Sequence, residues 1–195
     1  CLQRQRRTLG DLTTDVIRQT AVGKRNIRPT LQHHDLRLFI QPAQPGCGTL
    51  QEYGIHYDEV PLLPDFTPDY AAIAEHAKTA TVVHIQRSRG YTQRNAFDLD
   101  TIQKVADTAR KANPDVVIFV DNCYGEFVDT LEPTQVGADI MAGSLIKNPG
   151  GGLAPTGGYI VGRDKLVELA SYRLTAPGMG DELGASLANN RLLFP

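Results

Sequence analysis

No run of apolar residues in this chain approaches the length needed to cross a bilayer, so no membrane-spanning helix is expected. Positive charge is not in excess either. The 195 residues carry a formal net charge of −2, which offers no field to draw in nucleic acid or an anionic lipid surface. Cysteine is scarce: Cys1, Cys47 and Cys123 form an odd, widely spaced set that suits neither a disulfide framework nor a metal cluster, and a reducing, cytoplasmic setting is expected. The opening residues Cys1-Leu2-Gln3-Arg4 hold no apolar signal core. An initiator Met is missing, and the sequence stops at Phe194-Pro195 just after a helical pattern, so a fragment is expected. What is there is ordinary for a globular domain, 41% hydrophobic and 22% charged, with enough apolar content to build a core.

Residues 1–47 stand apart as an atypical, Arg- and Gln-rich segment with no assigned role. A helical pattern near 9–19 and an apolar run near 36–40 are its only regular pieces. Its His33-His34 pair has just Asp35 beside it as another potential ligand and reads as surface histidine, so no metal is expected. From Gly48 onward the punctuation becomes regular. Ile55 to Val60 reads as a strand, and Thr67-Pro68-Asp69 as a helix start with Thr67 as N-cap and the helix reaching about Thr79. Thr81 to Ile85 is β-branched and strand-like. Asp98 caps a helix whose apolar face is Ile102, Val105, Ala106 and Ala109 and which Asn113-Pro114 stops. Val116 to Val120 is a continuous apolar strand of the kind buried on both faces. Short strands at 139–142 and 159–161 and helices at 164–173 and 181–193 follow. Strands alternating with helices predict an α/β domain with a mostly parallel sheet flanked by helices. Ligands then bind beyond the carboxyl ends of the strands, in the loops after Ile85, Val120 and Ala142.

Those loops carry the chemistry. One reads Asp121-Asn122-Cys123-Tyr124-Gly125-Glu126-Phe127, with a carboxylate at the tip of an apolar strand, where a buried charge needs a partner. Another reads Ser144-Leu145-Ile146-Lys147-Asn148-Pro149 and then three glycines. Pyridoxal 5′-phosphate (PLP) chemistry needs these parts: a lysine amine to carry the cofactor, an acid to keep its pyridine nitrogen protonated, and hydroxyls and backbone N–H groups for its phosphate. Asp121, Tyr124, Ser144 and Lys147 can supply them. The glycine run is no P-loop, because Lys147 precedes the glycines and no G-K-[ST] follows.

The D-x-x-Y followed by S-x-x-K-N resembles the large domain of fold-type-I PLP enzymes, the aspartate aminotransferase superfamily. Longer strings are more specific. Gly48 to Val60, Gln86 to Tyr91, Asp121 to Phe127, Glu132-Pro133-Thr134, Ala142 to Gly152 and Arg173 to Gly178 resemble the methionine gamma-lyase-like family, also called aluminium resistance proteins. The resemblance implies that residues 48–195 are part of a PLP-binding large domain, with Lys147 as the cofactor lysine, Asp121 as partner of the pyridine nitrogen, Tyr124 beside the phenolic oxygen and Ser144 on the phosphate. It places Arg87, Ser88 and Arg89 in a loop beside the ring, and Thr175 where some relatives reach a neighbouring subunit's phosphate site. It implies a carbon–sulfur lyase acting on a sulfur amino acid by β- or γ-elimination, with a small-molecule substrate, a homo-oligomeric assembly, and neither nucleic acid nor membrane as partner. An aminotransferase could use the same residues. The family's N-terminal phosphate turn and stacking aromatic have no counterpart in residues 1–45, and its C-terminal small domain is missing. A truncated, non-catalytic chain is therefore the other expectation.

Overall fold

The computed structural model describes residues 35–36 (backbone), 55–56, 58–147 and 157–174. Four strands form one sheet in chain order: β3 (Val82–Gln86), β4 (Val117–Asp121), β5 (Ile140–Ser144) and β6 (Gly158–Gly162). β3, β4 and β5 run parallel, and β6 returns antiparallel along the outer side of β5. A separate two-stranded ribbon pairs β1 (Asp35–Leu36) with β2 (Val60–Pro61).

The apolar run in β4 explains the layering. Ile118 and Val120 join the core formed with α1 (Tyr70–Ala77) and α2 (Leu99–Ala112), while Val117 and Phe119 join the core formed with α3 (Asp164–Leu174). Side chains alternate across a strand, so a strand with both faces covered must be apolar throughout. All four are at most 1% exposed. On α2 the buried residues are Ile102, Val105, Ala106 and Ala109, spaced as one helical face requires. Asp98 Oδ1 accepts the Thr101 N–H at 2.8 Å and caps that helix. The Asn113 amide stops it and donates to the carbonyls of Ala77 (3.1 Å) and Ala80 (2.9 Å), tying the end of α1 to the end of α2. Asp139, buried just before β5, accepts the Ile118 N–H at 2.7 Å and pairs with Arg110 (2.9 Å) and Arg163 (3.3 Å), so its charge is balanced.

The mostly parallel α/β sheet matches the sequence reading, with local corrections. Thr67 is not the N-cap of α1. Its hydroxyl and N–H both bond to Asp65 Oδ1 in a preceding turn, and Asp69 caps the helix by accepting the Ala72 N–H at 2.9 Å. The Asp69 carboxylate, one residue before the helix, reaches the free amide that Thr67, three residues out, cannot. α1 ends at Ala77, not near Thr79. The strand expected from Ile55 is reduced to Val60–Pro61. Asp58 bonds the Glu59 N–H (2.9 Å) and His76 (2.5 Å), which turns the chain just before Val60. The patterns at 9–19 and 181–193, the His33-His34 pair and Thr175 lie outside the described residues. No described helix is long and apolar enough to cross a membrane.

Candidate active site

Parallel register brings three strand ends to one edge: Gln86 lies beside Asp121, and Asp121 beside Ala142. The β4 ladder continues one bond further, from the Asn122 N–H to the Ala142 carbonyl at 2.8 Å, and then the chain turns. Asp121 is the last residue of β4. Its Oδ1 accepts the Cys123 N–H at 3.0 Å, and its carbonyl accepts the Arg87 N–H at 3.0 Å. Because β6 is antiparallel, its first residues reach the same edge, with Tyr159 opposite Gly143.

Lys147 follows β5 by three residues. Leu145 N–H bonds the Gly157 carbonyl at 3.0 Å, and Ser144 Oγ accepts the Ile146 N–H at 3.4 Å, so the start of this loop is held. The Lys147 amine stands 5.1 Å from the centroid of the Tyr124 ring, a cation–π approach. Burial by itself would pull its pKa down. The neighbouring Cys123, Asp121 and Tyr124 more than reverse that, and the net shift is upward. Cys123 moves the other way in reactivity: burial, and then Asp121, push its thiol up to about 12, with Lys147 opposing. Three of the residues picked from sequence, Asp121, Tyr124 and Lys147, are thus brought together, with Ser144 at the start of the same loop.

The loop after β4 is bent to do this. Tyr124 (φ 68°) and Phe127 (φ 57°) both occupy the left-handed region, which costs a non-glycine residue about 1–2 kcal/mol each. Gly125 between them has no room for a side chain, since a Cβ there would lie 2.6 Å from both Arg87 Nη1 and Asn122 Oδ1.

Arg87, Ser88 and Arg89 divide. Arg87 is 4% exposed. Its guanidinium donates to Asn122 Oδ1 (2.9 Å) and the Gly125 carbonyl (3.0 Å) and pairs with Asp129. The Ser88 carbonyl accepts from Gln86 and Arg94. Arg94 is buried against Phe97, 4.2 Å from its ring, and burial lowers its pKa to about 10. Arg89 is exposed. A cleft of about 630 Å³ opens between the 87–90 loop, residues 96–98 and the Cys123–Gly125 turn. Neither Asp121 nor Lys147 lines it; Cys123 and Tyr124 are common to the cleft and to the surroundings of Lys147.

Sequence reasoning missed four residues beneath these loops. Asn122, fully buried, donates to Glu132 Oε2 (3.0 Å) and to the Tyr159 hydroxyl (3.1 Å). Glu126, 6% exposed, accepts the Ser144 N–H and the Tyr159 hydroxyl, each at 3.1 Å, on Oε1. Glu132 Oε1 also accepts the Phe127 N–H at 3.1 Å. Asn122, Glu126 and Glu132 stood in strings already singled out, but only Asp121 and Tyr124 matched a known chemical need. Tyr159 gave no signal beyond being a polar tip on a short strand.

Comparison with known proteins decides the relationship. A family profile described as methionine gamma-lyase matches residues 35–195. The chain belongs to that family. The match begins at Asp35, inside the segment that sequence reading set apart, and Asp35 is where β1 starts. The uncharacterized protein YnbB of Bacillus subtilis (strain 168) is 52% identical over 142 residues, which is 72% of this chain and 34% of that protein. A crystal structure from Listeria monocytogenes str. 4b F2365 is 52% identical, with a TM-score of 0.68, covering 71% of this chain and 36% of that one. The crystal structure of a carbon-sulfur lyase involved in aluminum resistance from Clostridium novyi NT is 40% identical, with a TM-score of 0.71, covering 93% of this chain and 44% of that one. The chain thus spans between a third and a half of the length of these family members. The suspected family, lyase-like and associated with aluminium resistance, is the one found.

Proposed function

We propose that this chain is the cofactor-bearing part of a fold-type-I, PLP-dependent carbon–sulfur lyase that acts on a sulfur-containing amino acid. The observation that carries the reading is the meeting of Lys147 with Asp121 and Tyr124 at the carboxyl edge of the parallel strands. This donor set fits PLP. A primary amine, a carboxylate at a strand tip, a phenol and the Ser144 hydroxyl are what its aldehyde, pyridine nitrogen, phenolic oxygen and phosphate require. PLP, when bound, supplies an electron sink for the carbanion at the substrate's Cα.

The residues have distinct tasks. Lys147 would hold the cofactor through its amine and would serve as general base toward the substrate's Cα proton. It is held as an ammonium in the structure described here, so it must lose a proton before it can attach the cofactor. Attachment should therefore speed up as pH rises from 7 toward 10. Asp121 would hold the proton on the cofactor's pyridine nitrogen. The bent Tyr124 keeps its phenol near the Lys147 amine, and Ser144 offers its hydroxyl to the phosphate. We assign Ser88 and Arg89 to the side of the cofactor loop, with Arg87 tying that loop to β4. Overall, the C–S bond breaks, a thiol leaves, and one water is consumed to give ammonia and a 2-oxo acid.

The test is made on the full-length protein, since this chain alone is expected to release no thiol or ammonia; it supplies PLP and offers cystathionine, methionine and cysteine in turn. The lyase reading predicts thiol, ammonia and 2-oxo acid in equal amounts. Amino transfer to an added 2-oxo acid, without thiol release, would make the protein an aminotransferase. Neither reaction, in protein that carries PLP on Lys147, would leave it a non-catalytic chain.

A further inference from the structure

β4 stops pairing with β5 where the chain turns at Asn122, yet β5 continues to Ser144. The Ser144 N–H has therefore lost its backbone acceptor on the β4 side. Glu126 replaces it: the carboxylate, carried back by the Tyr124–Phe127 bend, accepts that N–H on Oε1 at 3.1 Å. A side chain thus adds one rung to the ladder, three residues before Lys147. The same oxygen accepts the Tyr159 hydroxyl at 3.1 Å, and that hydroxyl accepts from Asn122 Nδ2 at 3.1 Å. Burial raises the Tyr159 pKa, with Glu126 adding to the rise and Asn122 opposing it, so the hydroxyl keeps the proton it donates.

Two further observations single out this contact. Gly143 lies directly under it, and a Cβ there would collide with both the Tyr159 hydroxyl and Glu126 Oε1. Glu126 is also buried with its other oxygen, Oε2, lacking any hydrogen-bond partner among the described residues. Buried polar atoms are rarely left so. The bonds made by Oε1 are the evident reason for a carboxylate here.

We infer that Glu126 and Tyr159 are positioning residues that fix the Lys147 loop against the β4 loop. Glu126 acts through the Ser144 backbone N–H, and Tyr159 acts through Glu126. The inference rests on Lys147 being the cofactor lysine, and the experiment separates the two claims.

Three variants decide it: Glu126→Gln, which keeps an oxygen acceptor; Glu126→Ala, which removes it; and Tyr159→Phe, which deletes a single oxygen and keeps the test open should the alanine variant not fold. The first readout is amide hydrogen exchange over residues 143–147 in cofactor-free protein. Loss of a buried acceptor should speed exchange about 10-fold or more in Glu126→Ala and about 3-fold in Tyr159→Phe, with Glu126→Gln near the parent. The second readout is steady-state kinetics with PLP in the full-length protein. kcat should fall about 10-fold in Glu126→Ala with KM changed less than about 2-fold, and Glu126→Gln should keep at least about half of kcat. Unchanged exchange in both Glu126→Ala and Tyr159→Phe would overturn the inference. So would a Glu126→Gln variant as impaired as Glu126→Ala, or a loss confined to KM. If PLP never attaches to Lys147 in the parent protein, the functional reading fails, and the exchange experiment still judges the brace.

Discussion

Between Val120 and Asp121 the chain passes from one physical regime to another. On one side, Val117 to Val120 are wholly apolar, buried on both faces and held mainly by backbone ladder and packing. On the other, Asp121 to Asp129 contains two residues in the left-handed region, a buried carboxylate, a fully buried amide and an arginine partner drawn from another loop. The first region fixes where the strand end lies. The second uses that fixed point to hold functional groups in positions no regular element would give them. Strain and buried polarity are tolerated because the adjoining sheet over-determines the backbone.

Substitutions on either side should fail differently. Phe119→Ala removes a ring packed between the sheet and α3, and should lower unfolding free energy by about 3–5 kcal/mol in denaturant titration. A loss below about 1 kcal/mol would mean that β4 is not the core strand described here. The reactivity of Cys123 is set first by its burial and then by the Asp121 carboxylate beside it. With its thiol pushed up to about 12, alkylation at pH 8 should be on the order of a thousandfold slower than in unfolded chain and should rise with pH toward that value. Peptide-resolved mass spectrometry gives the rate, and fast labelling of Cys123 in folded protein would contradict the burial. Asp121→Asn belongs wholly to the second region. Stability should hardly change, while turnover falls at least about 100-fold, roughly 2.7 kcal/mol of barrier. Near-normal turnover would remove Asp121 from the mechanism. The smallest effect falls on a helix cap: Asp98→Ala should cost about 1 kcal/mol of unfolding free energy through the lost bond to the Thr101 N–H.

Legibility in the sequence followed the same divide. Ile102, Val105, Ala106 and Ala109 could be assigned to a core face because a helical period repeats, and the four apolar residues of β4 because a doubly covered strand admits nothing else. The α1 cap was misplaced at Thr67 because Asp65, Thr67 and Asp69 are all good turn or cap formers, and only three-dimensional competition for one amide separates them. Asp121 and Lys147 were legible as chemistry, since an acid at a strand tip and a lysine in a glycine-rich loop have few other uses in combination. Glu126, Asn122 and Tyr159 were not. Their pairings span 10 to 37 residues, and those to Tyr159 depend on an antiparallel β6 returning to the site edge, which no local pattern encodes.

The most direct measurement of the central claim is chemical. PLP is added to the protein, the adduct is fixed with borohydride, and the labelled peptide is sequenced by mass spectrometry. The account predicts one dominant label, on Lys147, lost in Lys147→Ala and retained in Asp121→Asn. A label on Lys104 or Lys165 instead, undiminished in Lys147→Ala, would contradict it.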